Sequence, residues 1–205
     1  MDNFQFKNFV ERTVKIVLSD LDKLEEIAQK GNKISSASST TTTMTTIRPE
    51  DEVKFSHQSD DISRCTIPIA MLCFSVIDLF GQLLNNPRND DFGISSKNFF
   101  ERLAGRDDLK NAATYEMFKQ YYRHPVIHSF FAKEGFGLAY NEYNQNILFN
   151  AYYDNKIKSL NVEYLVSVVR LGLSKLLYCI SDKQSTIFLD LYAGYLDWLE
   201  KNKAL

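Results

Sequence analysis

The chain has 205 residues, 44% of them hydrophobic and 13% aromatic, which is enough to bury one sizeable core, so a single domain over 1–205 is expected. Lys and Arg total 24 against 26 Asp and Glu, and the net charge of -2 excludes a general nucleic-acid coat protein; any RNA contact has to be local. Cys65, Cys73 and Cys179 are odd in number, far apart and set in apolar runs, which argues against a disulfide framework or a cysteine metal site and for buried thiols in a reducing compartment.

The first segment, "MDNFQFKNFVERT", lacks the basic, apolar, small-residue order of a secretory signal, so a cytoplasmic protein is expected. From Phe6 to Ala28 the apolar residues Phe6, Phe9, Val10, Val14, Val17, Leu18, Leu21, Leu24 and Ile27 recur at three-and-four spacing, the signature of one helix face, with Gly31 as its stop. Residues 31–63 then turn serine- and threonine-rich and charged. Two readings stand for them: a mobile connection, or an exposed threonine-rich hairpin.

Residues 66–84, "TIPIAMLCFSVIDLFGQLL", are almost long enough to span a bilayer. Asp78 and four other polar or helix-disturbing residues make a central helix buried on nearly all sides the better reading. After a polar loop comes a short helix around "SSKNFFERLAG", capped by Ser95 or Ser96. A further helix over "NAATYEMFKQYYR" puts Tyr115, Phe118 and Tyr122 on one side and should end near Pro125, whose ring disfavours helical geometry at His124 and suits the first turn of a new helix. The stretch "YYRHPVIHSF" is therefore expected to be a helix, a kink and a second helical turn. "GFGLAYNEYNQNILFNAYY" reads as a two-stranded hairpin. Next comes a helix that Asn161 caps, with Leu160 and Leu165 at hydrophobic-staple positions, and then a last helix with Ile187, Phe188, Leu191, Tyr192, Tyr195, Trp198 and Leu199 inward.

Metal-free RNA cleavage needs a 2′-hydroxyl to lose a proton, a 5′-oxygen to gain one, and a cation on the phosphorane between them. Histidine and arginine are the side chains suited to those tasks. On a straight helix Arg123 and His128, five apart, would point about 140° from each other. A register change at Pro125 could turn both toward one pocket.

Arg123 followed by the polar His124 and then His128 resembles the signature of HEPN domains, all-helical proteins common among prokaryotic toxins, phage-defence systems and RNA-processing factors. The order of elements is also similar to stand-alone bacterial members of that group: a long first helix, an apolar second helix carrying "IDLFGQLL", the motif helix, a hairpin and two closing helices. The resemblance covers most of the chain except residues 31–63. It implies an all-α, HEPN-like helical bundle with a small β-hairpin between the motif helix and the two C-terminal helices. It also implies a metal-independent endoribonuclease, a toxin or defence effector, acting on RNA as a cytoplasmic homodimer without a cofactor. Arg123 would hold the scissile phosphate, His128 would transfer protons or orient the 2′-hydroxyl, and His124 would support them. Ser129, Phe130 and Phe131 stand where some members carry a tyrosine whose modification silences them, so that control is not expected here. Other members have lost catalysis, which gives the second function class, a silent binding or dimerisation module. An apolar surplus around the motif helix adds to the expectation of a dimer.

Plainer roles compete for the same residues. Arg123 can pair with Glu116 or Asp78. His124 and His128 have zinc-like spacing, but Pro125 stands where a zincin-type motif has its catalytic Glu and no third ligand is specified. Asp78 either orients a motif histidine or sits at the wet edge of its helix. Tyr140, Tyr143, Tyr152 and Tyr153 could stack bases or pack on the helices beneath. Lys119 and Lys133 flank the motif as phosphate attractors or as ordinary solvated lysines.

Overall fold

A computed structural model describes residues 3–35, 65–84, 91–106, 115–116, 118–124, 126, 136–140, 148–152, 157–182 and 185–202. The architecture is mostly helical with one small sheet. The segment 31–63 falls outside the described residues apart from 31–35, as do His128, Lys133, Tyr143 and Tyr153.

Helix α1, Asn3–Ser35, follows the apolar stripe: Phe6, Val10, Val14, Val17, Leu21 and Ala28 are buried. It does not stop at Gly31. A glycine inside a helix costs only about 1 kcal/mol relative to alanine, and here the run of turns on either side carries it. Near the C-terminal end Ala28 takes the inward position and Ile27 is exposed, because a 3.6-residue turn drifts against a strict three-and-four count.

Helix α2, Thr66–Leu83, is the central helix that the sequence predicts. It packs against α1 and against the helices Phe92–Asn98, Val162–Cys179 and Thr186–Asn202, so its apolar run is that of a core element. Two glycines allow backbones to close on it. A Cβ on Gly81 would lie 2.1 Å from the carbonyl oxygen of Ser95, and one on Gly194 would lie 2.1 Å from that of Leu83. At the C-terminal end of α2, Arg102 donates to the Leu84 carbonyl at 3.0 Å and pairs with Asp190, a cation placed where a helix terminus favours one.

Helix α3, Phe92–Asn98, begins earlier than the sequence reading placed it. Asp91 is its N-cap, accepting from the Gly93 amide at 2.7 Å, while Ser95 and Ser96 are buried inside the helix with their hydroxyls bonded back to the Asp91 and Gly93 carbonyls. An aspartate and a pair of serines four residues apart are equivalent caps on propensity alone; the burial of Phe92 in the core selects the first. The chain continues into a π-helical stretch, π1, Phe99–Leu103, and leaves it at Gly105, whose φ of 63° suits glycine.

The motif region is π-helical from Phe118 to Arg123 (π2), with His124 and Val126 also helical and Pro125 outside the described residues. Tyr115, Phe118 and Tyr122 share the buried side as expected, and Val126 joins them. Of the apolar side chains that suggested a dimer surface here, these four are buried within the single chain, and Ile127, Phe130 and Phe131 lie outside the described residues.

The expected two-stranded hairpin is a three-stranded sheet of order β1-β3-β2, with β1 Phe136–Ala139, β2 Phe149–Tyr152 and β3 Ile157–Asn161. β2 and β3 form the antiparallel pair; β1 joins β3 in parallel, Leu138 opposite Leu160. The two runs that read as hairpin partners are thus separated by a third strand. Asn161 ends β3 and caps helix α4, Val162–Cys179, accepting from the Tyr164 amide at 3.0 Å, with Leu160 and Leu165 fully buried at the staple positions. Helix α5, Thr186–Asn202, closes the bundle. Phe188, Leu191 and Tyr195 are buried, and Trp198 lies at the rim, stacked on Phe9 and Tyr195. Cys65, Cys73 and Cys179 are buried free thiols.

Candidate functional site

The π turn explains where Arg123 goes. Residues five apart diverge by about 140° on an α-helix, whereas the wider turn of a π-helix brings them nearer to one face. Phe118 and Arg123 both meet the Phe92 ring: Phe118 stacks on it with centroids 5.8 Å apart, and the Arg123 guanidinium lies 5.4 Å from its centre. The sequence reading anticipated a register change at Pro125; one is present a turn earlier.

From that position Arg123 reaches α2. Its Nη2 donates to Asp78 Oδ2 at 2.8 Å, both side chains about four-fifths buried. Gln82, one turn along α2, donates to the other carboxylate oxygen of Asp78 at 3.0 Å. Asp78 therefore has the partner that a carboxylate in an apolar helix requires. That partner is Arg123, one of the two pairings the sequence offered for the arginine. Glu116, the other partner considered for Arg123, accepts from Gln120.

Arg123 Nη1 lies 3.4 Å from Nδ1 of His124, which is exposed. Gln82, Asp78, Arg123 and His124 thus form a line of four side chains running from α2 to the surface. Beside it, Lys119 donates to both oxygens of Asp91 at 3.1 Å, so this lysine is paired and not simply solvated. Burial raises the Asp91 carboxyl, but the Lys119 bond and the Gly93 amide outweigh it and hold the group below its ordinary range. The structure brings Arg123, His124, Lys119 and Asp78 together; His128 lies outside the described residues, so its place relative to them is not part of this geometry.

A second polar cluster, which the sequence reading missed, ties α1, α4 and the end of β1. Arg170 donates to Asp22 at 2.6 Å and to Glu25 at 2.5 Å, and Tyr140 donates to Glu25 at 3.2 Å. Burial, then the charge and hydrogen bond of Glu25, push the Tyr140 phenol up. Tyr140 therefore packs on the helices, the second of its two readings. Burial first, then the charge of Glu25, pushes the fully buried Cys73 thiol up against the opposing charge of Arg170, which favours its protonated form. Asp22 and Glu25, three apart on α1, with an arginine inside the apolar run of α4, were the available signals.

An arginine fixed on three sides, by a carboxylate, a ring and an imidazole, can present a guanidinium edge in a set direction to an anion. Among the described residues no group of three His, Cys, Asp or Glu side chains is placed to hold a metal ion. Comparison of the chain with protein-family models, with curated proteins and with solved structures yields no match.

Proposed function

We propose that the protein is a metal-independent endoribonuclease of HEPN type, a toxin or phage-defence effector that cleaves RNA by attack of its own 2′-hydroxyl. The observation that carries this reading is the line Asp78–Arg123–His124, in which a guanidinium of fixed direction stands beside an exposed imidazole. Arg123 would hold the phosphate undergoing attack, and His124 would bind or orient it. His128, by the resemblance of the motif, would carry the proton. The reading entails a cytoplasmic two-fold homodimer with two such sites near its axis and no cofactor.

A catalytically silent binding or dimerisation module is the second reading. It draws on the same ion pair, since an arginine bonded to a buried carboxylate on another helix also serves to pin two elements together.

Purified protein with labelled RNA in EDTA separates the two. Cleavage leaving a 2′,3′-cyclic phosphate, reduced ~10²-fold or more in folded Arg123→Ala and His128→Ala variants, is expected of the ribonuclease. Absence of cleavage, or cleavage that survives in both variants, leaves the module.

A further inference from the structure

We infer that His124 serves the site as a hydrogen-bond donor through Nε2, and that Arg123 assigns it this role by holding Nδ1. The inference rests on the ribonuclease reading for its ligand, a phosphate oxygen of RNA. Its basis in this chain is separate.

A guanidinium carries only donors, so the atom facing Arg123 Nη1 at 3.4 Å has to be an acceptor. Nδ1 can accept only when it carries no proton, and a neutral imidazole with a bare Nδ1 carries its proton on Nε2. The opposite tautomer would point an N–H at an N–H. Arg123 cannot easily turn away to relieve that clash. Its Nη2 is bonded to Asp78 at 2.8 Å, Asp78 is itself held by Gln82 at 3.0 Å, and the guanidinium rests on the Phe92 ring. Three elements, α2, α3 and π2, thereby fix the proton position on one exposed ring. A general base needs a bare nitrogen toward the substrate, and the Nε2–H tautomer denies that. What this ring offers is a donor, suited to a phosphate oxygen that gains charge as the phosphorane forms.

Two measurements test this. The first is the nitrogen spectrum of histidine-labelled protein at a pH where His124 is neutral, in the parent and in Arg123→Met. The parent should show Nδ1 unprotonated and Nε2 protonated, and the variant should shift toward a mixture. Free imidazole already leans to this tautomer, so the comparison between the two proteins is the readout. A protonated Nδ1 in the parent, or no change on losing Arg123, overturns the assignment. The second is RNA cleavage by His124→Gln, whose amide places an N–H near the Nε2 position but cannot accept a proton. It should stay within about tenfold of the parent while His124→Ala loses ~10²-fold. Equal loss in both variants overturns the donor role. If the parent cleaves no RNA, the ribonuclease reading fails, and the spectra still decide whether Arg123 holds the ring.

Discussion

Arg123 and Arg170 are both partly buried arginines bonded to carboxylates on a neighbouring helix, yet they end in opposite electrostatic settings. Arg170 meets two carboxylates, Asp22 and Glu25, with Tyr140 closing the cluster. Its charge is more than balanced, and an approaching anion would be repelled. Arg123 meets one carboxylate, an aromatic ring and an imidazole, and the charges beside it, Lys119 and Asp91, cancel each other. An anion that approaches there finds donors without excess negative charge. An arginine in an ion pair is therefore not in itself structural; the number of carboxylates around it distinguishes the two cases.

The largest effects should come from the glycines that let other elements close on α2. Gly81 lies three residues beyond Asp78 and against α3, whose Phe92 carries Arg123; Gly194, on α5, closes on Leu83 in the same last turn of α2. Alanine at either position forces backbone apart, at a cost of about 1–3 kcal/mol or more. Thermal melts should show both losses, but only Gly81→Ala should also disturb the His124 tautomer and cleavage at temperatures where the variant is folded. Equal disturbance by Gly194→Ala would mean that the site depends on the whole bundle and not on the contact between α2 and α3.

Much of the scaffold was legible because its signals are local. The stripe from Phe6 to Leu21, the apolar run of α2, the Asn161 cap with its staple and the inward face of α5 all follow from spacing along the chain. The strand order was not, since Ile157–Asn161 inserts between two better-looking partners through pairing that depends on distant residues. The Asp78–Arg123 pair was legible as one of two choices, because a carboxylate in an apolar helix needs a partner. The π turn was not: nothing in "FKQYYR" separates i→i+5 from i→i+4 bonding, and packing of Phe118 on Phe74 and Phe92 accompanies the wider turn.

Removing one carboxylate from each cluster gives an intermediate effect. Asp78→Ala strips Arg123 of its acidic partner and leaves Gln82 without its acceptor, so it should cost about 1.5–3 kcal/mol, the range for hydrogen bonds to charged groups. Glu25→Ala takes the acceptor from the buried Tyr140 hydroxyl but leaves Asp22 bonded to Arg170, so the arginine keeps a carboxylate and the loss should be the smaller of the two. Urea denaturation of the two variants measures the difference. Matching losses would mean that the second carboxylate at Arg170 gives no redundancy.

The smallest effect concerns the Lys119–Asp91 pair that keeps the charge beside Arg123 balanced. Asp91→Asn preserves the cap on α3, because asparagine caps as well as aspartate, and removes only the charge. Asp91 is held below its ordinary carboxyl value of 3.8 in the fold, so its ionised form contributes stability above the unfolded value that is lost as the pH falls through the folded one. The parent should therefore exceed Asp91→Asn by at most about 1 kcal/mol at neutral pH, and the two should converge in acid. Asp91→Ala, which also loses the cap, should stay about 1 kcal/mol below the parent even there. At neutral pH the Asn variant leaves Lys119 uncompensated next to Arg123, so inorganic phosphate or RNA should bind more tightly at low salt, with the gain fading as salt rises. If the added positive charge leaves anion binding unchanged, the electrostatic contrast with Arg170 does not govern what the Arg123 site attracts.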